Sequence, residues 1–409
     1  MFYEITEKNA IDYVMNTSVY TTLFKGAKDL KSKDLALGNI NLIFRIYSES
    51  DPKKSVILKQ ALPYAKKYPE FKLPQERAAL EADILKVENE YCPETSPILY
   101  YFDNEMFINL MEDANEHLIM RDGLMKQVVY PKFAEQIGLF LARTLFYTSD
   151  FYLPSDKKKA MAVRFTNPVM CKITEDLIFT EVWKDHPNNN WTKPYLDHIA
   201  ENLHNDKNLR RESLIMKESF MMHTEALIHG DLHTGSIMIN PVEMKVIDPE
   251  FAYYGPMGFD IGAVLGNLVL SYASQEYHAK NQSLRTDYQK WLLETIKGVW
   301  MEFEKEFRTL WKNERIAGEW ESDEYLDVFL SHVLQDSVGF GACKITRRLF
   351  GLAHVPDMWE IPDDHERAKC ESIAFNIGRQ WLLQRKKVKN PEDMVRLVKE
   401  NAKPDESFI

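Results

Sequence analysis

Leu227–Ile239 reads LIHGDLHTGSIMI and Met244–Glu250 reads MKVIDPE. In the first stretch an apolar run is broken by His229-Gly230-Asp231 and then resumes. The spacing predicts two short strands with Asp231 on the loop between them. In the second, another strand ends in two carboxylates, Asp248 and Glu250, held apart by Pro249. A lone Asp in a turn is usually an Asx cap, but here three carboxylates follow in a fixed order. Phosphoryl transfer needs one carboxylate to accept or orient the proton of the attacking hydroxyl. It also needs oxygen ligands to hold Mg²⁺ against the phosphates of the nucleotide. Asp231 suits the first role, and Asp248 with Glu250 the second. The expected activity is therefore that of an ATP-dependent small-molecule kinase.

Upstream residues extend this reading. Asn41–Tyr47 (NLIFRIY), Ser55–Lys59 (SVILK) and Glu105–Met111 (EMFINLM) each suit a strand, and together one antiparallel sheet. Gln75–Glu90 brings Ala79, Ile84, Leu85 and Val87 near helical spacing, predicting an amphipathic helix against that sheet. Lys59 ends a strand, where it can reach nucleotide phosphates, and Glu81 on the following helix is its natural partner. Leu37–Asn41 contains one glycine, Gly38, and is expected to form a hairpin with Asn41 supplying a side-chain contact. After Asp113 the pattern changes to long helices: Tyr130–Thr148, Pro194–Leu203, Leu209–Leu227, Asp287–Leu310 and Tyr325–Leu349. The expected fold is α+β and bilobed. Residues 1–113 form a nucleotide-binding lobe of antiparallel sheet and helix, and residues 114–409 a larger, mainly helical lobe for catalysis and substrate.

The bulk properties agree with a folded chain of this kind. At 409 residues it exceeds one simple domain, and 45% hydrophobic with 28% charged residues is the balance of a chain that buries a core. A net charge of −11 argues against nonspecific binding to nucleic acid or anionic membranes. Cys92, Cys171, Cys343 and Cys370 make no C-x-x-C pair, which speaks against a zinc site or a disulfide framework. The acidic N-terminal stretch lacks a signal-peptide pattern. Ile261–Ala273, the longest apolar run, is shorter than the ~20 residues a membrane span needs. A cytoplasmic protein is expected.

At these motifs the sequence resembles the protein-kinase-like phosphotransferases of the aminoglycoside and choline kinase type, and within them the methylthioribose kinase family. The resemblance rests on Gly38–Phe44 (GNINLIF), Leu58–Ala65 (LKQALPYA), Met111–Asp113 (MED), Leu145–Asp150 (LFYTSD), Leu227–Ser236, Val246–Asp260 (VIDPEFAYYGPMGFD) and Arg347–Val355 (RRLFGLAHV). Related kinases carry an Asn five residues after the catalytic Asp, where this chain has Ser236, and D-F-G or a plain D where it has D-P-E. Both departures are features of methylthioribose kinases, and Glu250 can take over as the oxygen ligand that the missing Asn would supply. The resemblance implies that Asp231 is the catalytic base and contacts the sugar, and that Asp248, Pro249 and Glu250 form the Mg²⁺–ATP turn. It implies that Lys59 and Asn41 contact ATP, and that Glu112, Asp113 and Ala114 form a hinge receiving adenine through backbone groups. It further implies that Arg347 and Arg348 lie near the substrate, stabilising the transferring phosphoryl group, and that the protein is a homodimer. Without it, an Arg-Arg pair on a helix reads as a solvated face.

The resulting expectation is transfer of the γ-phosphoryl of ATP to the 1-hydroxyl of 5-methylthioribose. Two alternatives stand beside it: another small alcohol as acceptor, choline-like or aminoglycoside-like, and a kinase-fold scaffold without activity. Ser236, D-P-E and the twin arginines weigh against the first, and the presence of Lys59, Asp231 and Asp248 against the second.

Overall fold

The computed structural model describes residues 2–35 and 40–408. It divides into two compact units, Met1–His117 with Lys245–Ala252 and Leu118–Met244 with Tyr253–Ile409. The sequence reading drew a single cut after Asp113; the compact units also give the D-P-E segment to the first.

In the first unit, β1 (Leu30–Asp34), β2 (Leu42–Ser48), β3 (Ser55–Gln60), β6 (Leu99–Asp103) and β7 (Ile108–Glu112) form an antiparallel sheet in the order β1-β2-β3-β7-β6. A separate ribbon pairs β4 (Tyr64–Ala65) with β5 (Tyr68–Lys72). The alternation in β3 sets Val56 and Leu58 in a core with Phe44, Ile46, Ile108 and Leu110. That core also packs on Val14 and Phe24 from the N-terminal segment. Lys59, one residue out of phase, stands opposite Ile43 of β2 and Asn109 of β7. Helix Arg77–Tyr91 buries Ala78, Ala82, Ile84 and Leu85, and with them the polar residues Arg77, Glu81 and Glu88. A helix with a charged row on its buried side is built to hold something other than apolar surface.

Several element boundaries differ from expectation, among them helix Gln282–Glu314, expected over Asp287–Leu310, and two of the shifts have a local cause. The strand expected from Glu105 begins at Ile108, because Asp103 Oδ1 accepts the Glu105 and Met106 amides at 2.8 and 3.0 Å and turns the chain. Phe107 follows at a φ of 52°. The helix expected over Leu209–Leu227 is Lys207–Met222. His223 leaves helical geometry, and the Leu227 amide bonds the Thr148 hydroxyl at 3.0 Å, so Ala226–Ile228 becomes strand β9. The hairpin expected at Leu37–Asn41 has residues 37–39 outside the described residues.

The second unit is mainly helical, with β9 paired to β12 (Tyr253–Gly255) and β10 (Ile237–Ile239) paired to β8 (Leu118–Ile119). Strand β11 (Met244–Val246) leads into the D-P-E turn. Helix Gly258–His278 is buried continuously from Gly258 to Gln275, so its unbroken apolar run is a core helix. It packs on helix Asp323–Phe350 backbone to backbone. A Cβ on Gly262 would lie 2.5 Å from the Ser337 carbonyl oxygen, and one on Gly266 2.7 Å from that of Gly341. Only glycine allows this approach. Among the described residues, no helix is long and apolar enough to cross a membrane.

Candidate active site

The expected site residues gather into two clusters, one inside each unit. In the first unit, Lys59 near the end of the central strand is 5% exposed, and its ammonium donates to Glu81 Oε1 at 2.6 Å and to Asp248 Oδ1. Asn109 donates to the other Glu81 oxygen at 3.2 Å. Burial opposes charge on Lys59, but the carboxylates of Asp248, Glu81 and Glu250 hold its pKa above the ordinary lysine range. Burial pushes the Glu81 carboxyl up against the pull of Lys59.

Asp248 sits at a φ of 69°, a conformation uncommon outside glycine but tolerated by Asp. Its side chain is 46% exposed, whereas Glu250 two residues on is buried. The Glu250 oxygen Oε2 accepts from Asn41 Nδ2 at 3.0 Å and Arg77 Nε at 3.1 Å. Arg77, which sequence reasoning missed, also donates to Asn41 Oδ1 at 2.7 Å and to the Leu62 and Pro74 carbonyls at 2.7 and 2.8 Å. Asn41 is thus engaged at both polar ends. Burial and Asp248 together raise the Glu250 carboxyl, with Lys59, Arg77 and Asn41 opposing. Arg77 and Glu81 lie four residues apart on one helix face, so a single helix braces both carboxylates of the turn.

The hinge residues close the β7 strand. Glu112 accepts from the Ile98 amide at 3.1 Å and pairs with Lys245 at 3.2 Å, and Asp113 pairs with Arg45 at 2.5 Å. The Glu112 and Asp113 side chains are tied to neighbours, and Ala114 offers only backbone polar groups, its carbonyl accepting the His117 amide at 3.0 Å.

In the second unit, the H-G-D loop is held from beneath. Asp260, in the first turn of helix Gly258–His278, accepts the His229 amide at 2.6 Å and the Gly230 amide at 3.0 Å, with Gly230 at a φ of 83°. Asp231 projects from this loop, and its Oδ1 accepts from Lys344 at 2.8 Å. The nearby His233 accepts the Gly235 amide on Nδ1 at 3.0 Å, which leaves its ring proton on Nε2, 3.4 Å from Asp231 Oδ2. Burial pulls His233 well below the usual histidine range, against the pull of Asp231. Ser236, at the position of the expected Asn, spends its hydroxyl inside the loop on the Asp231 carbonyl at 3.1 Å.

Arg347 and Arg348 both donate to the Ala353 carbonyl, at 3.2 and 2.9 Å, and Arg348 is buried rather than part of a solvated face. Arg121 lies 3.1 Å from Asp357 and takes the Thr234 carbonyl with its own amide. Burial would raise the Asp231 pKa, yet Lys344, His233, Arg348 and Arg347 hold it well below the usual carboxylate range. The arrangement is an ionised carboxylate inside a cluster of cations, able to orient a hydroxyl and to receive a multiply charged anion. Lys344 lies three and four residues before the twin arginines, a helical spacing that was a usable signal. Arg121 gave none. Tyr254 is buried in the core, and the partly buried Tyr253 donates to the Phe220 carbonyl at 3.0 Å.

Comparison with known proteins agrees with these motifs. The family model "Phosphotransferase enzyme family" matches residues 181–293. The methylthioribose kinase of Geobacillus sp. (strain WCH70) is 38% identical over 391 residues, 95% of this chain and 94% of that protein. Methylthioribose kinase 1 of Oryza sativa subsp. japonica is 38% identical over 400 residues, 94% of this chain and 92% of that protein. Among solved structures, a choline kinase from Cryptosporidium parvum Iowa II is similar at a TM-score of 0.45 and 12% identity, over 96% of each chain. With full-length identity of this order, the chain belongs to the methylthioribose kinase family.

Proposed function

We propose that the protein transfers the γ-phosphoryl of ATP to the 1-hydroxyl of 5-methylthioribose, giving 5-methylthioribose 1-phosphate and ADP in methionine salvage. The observation that carries this reading is Asp231, a carboxylate kept ionised by Lys344 and flanked by Arg347 and Arg348. Asp231 orients the acceptor hydroxyl and takes its proton as the bond to phosphorus forms. Because the pKa of Asp231 is depressed, the proton leaves the hydroxyl late, which suits a loose transition state in which positioning and charge dominate. The arginines offset the charge on the moving phosphoryl group.

The D-P-E turn offers hard oxygen donors, one of them well exposed on Asp248, and one or two carboxylates with phosphate oxygens is the donor set that Mg²⁺ favours. When bound there, the cation would neutralise charge on the β- and γ-phosphates. Lys59 binds the same phosphates, and the backbone at Glu112–Ala114 receives adenine. We further infer a homodimer, which sedimentation velocity tests. An ADP-release assay with 5-methylthioribose beside choline, ribose and an aminoglycoside tests the acceptor. Turnover of methylthioribose alone is expected, and turnover of none of the four would favour a binding scaffold.

A further inference from the structure

Two helices hold Asp231 at two different points. Helix Gly258–His278 fixes the backbone of its loop through Asp260, and helix Asp323–Phe350 fixes its carboxylate through Lys344. The glycine-mediated contact between these helices locks the two holds relative to each other. Lys344 is 3% exposed, its ammonium lies 4.6 Å from the centre of the Phe259 ring, and among the described residues Asp231 is its one hydrogen-bond partner. A lysine is rarely buried this deeply without a task, because its charge must be offset. A carboxylate with both oxygens free is also poorly fixed about its last torsion.

We propose that Lys344 is a positioning residue for phosphoryl transfer, pinning Oδ1 of Asp231 so that Oδ2 is presented to the acceptor hydroxyl while the carboxylate stays charged. The inference rests on the assignment of Asp231 as the acceptor-facing carboxylate. The charged and titratable groups around Asp231 are Lys344, Arg347 and Arg348 from one helix, His233 from its own loop, His229, whose Nδ1 accepts the Asp231 amide at 3.3 Å, and Asp260 beneath the loop. His233 Nε2 approaches Oδ2 only at 3.4 Å, leaving that oxygen able to take a hydroxyl. Among the described residues Lys344 is the one cation in direct hydrogen-bond contact with Asp231, and its loss lets burial raise the carboxyl.

The test measures kcat and both KM values for Lys344→Met, Lys344→Arg, Asp231→Asn and the Asp231→Asn/Lys344→Met pair, across pH, with circular dichroism for folding. Lys344→Met is expected to lower kcat about tenfold or more with KM for MgATP unchanged. It should also move the acid limb of kcat/KM for methylthioribose up by about one pH unit or more. Lys344→Arg should restore the acid limb, since the charge returns, but not the whole of kcat, since the guanidinium cannot reproduce the geometry. In the Asp231→Asn background the Met substitution should add no further loss. A folded Lys344→Met enzyme with wild-type kcat and pH profile overturns the proposal, as does an equal further loss in the Asp231→Asn background. Should Lys344→Met fail to fold, Lys344→Arg decides: lowered kcat with an unmoved acid limb supports the proposal, and wild-type kcat overturns it. If Asp231→Asn itself turns over normally, the assignment of Asp231 falls, a failure distinct from that of Lys344.

Discussion

Lys59 and Lys344 are both buried lysines hydrogen-bonded to carboxylates, yet their surroundings push them in opposite directions. Lys59 sits among Asp248, Glu81 and Glu250, which hold its charge in place against burial. Lys344 is pulled below the ordinary lysine range by burial, with Arg348 and Arg347 adding to the effect and Asp231 opposing it. Around Lys59 the carboxylates Asp248, Glu81 and Glu250 outnumber the cations Lys59 and Arg77, and around Asp231 the cations Lys344, Arg347 and Arg348 surround a single carboxylate. An acidic cluster attracts a divalent cation and an electropositive one attracts phosphoryl oxygens. The same residue type thus sits in two local fields of opposite sign, because its neighbours decide that sign.

The largest effect is expected in the electropositive cluster. Asp231→Ala should lower kcat by ~10²–10⁴-fold while leaving ATP affinity nearly intact, since this carboxylate serves the acceptor. Calorimetric titration of ATP beside steady-state kinetics checks both halves, and more than half of wild-type kcat would end the assignment. In the acidic cluster, Asp248→Ala should impair Mg²⁺ use severely and Glu250→Gln less so, with raised Mg²⁺ partly restoring the latter. Superimposable Mg²⁺ titrations for wild type and both variants would mean the turn is only structural.

The twin arginines come next. Arg→Lys at the critical member should lower kcat with little change in ATP binding, and Arg→Ala should be worse by roughly another tenfold, about 1.4 kcal/mol of transition-state stabilisation. Because Arg348 is the buried member, Arg348→Ala should also lower the urea midpoint more than Arg347→Ala. Arg77→Met separates bracing from chemistry. It removes the guanidinium bonded to buried Glu250 and leaves Lys59 as the other cation acting on it, so a stability loss on the order of 3 kcal/mol is expected, together with a higher Mg²⁺ requirement and an unchanged KM for methylthioribose. An altered methylthioribose KM with normal Mg²⁺ dependence would contradict the division of labour. The smallest effect belongs to the hinge: Asp113→Ala should change ATP affinity less than about twofold, because a backbone-read adenine does not use that side chain, which is tied to Arg45.

The sequence by itself determined the order of elements and the identity of the charged motifs. A strand ending in Lys59, a helix carrying Glu81, a loop Asp and a D-P-E turn are local patterns, set by side-chain alternation and turn chemistry over a few residues. Those patterns were legible in one pass, as were the long helices after Asp113. The partners Arg77, Lys344, Asp260 and Arg121 were not, because each meets its target across 30 to 236 residues of chain. Helical spacing hinted at Arg77 through Glu81 and at Lys344 through Arg347 and Arg348, but spacing gives a shared face and not what that face meets. Only tertiary structure decided that Arg348 is buried, that Ser236 closes its own loop, and that Lys344 bonds the carboxylate of Asp231. Burial and long-range charge are properties of packed neighbours, and a linear pattern holds no information about the distance between two residues that packing alone brings together.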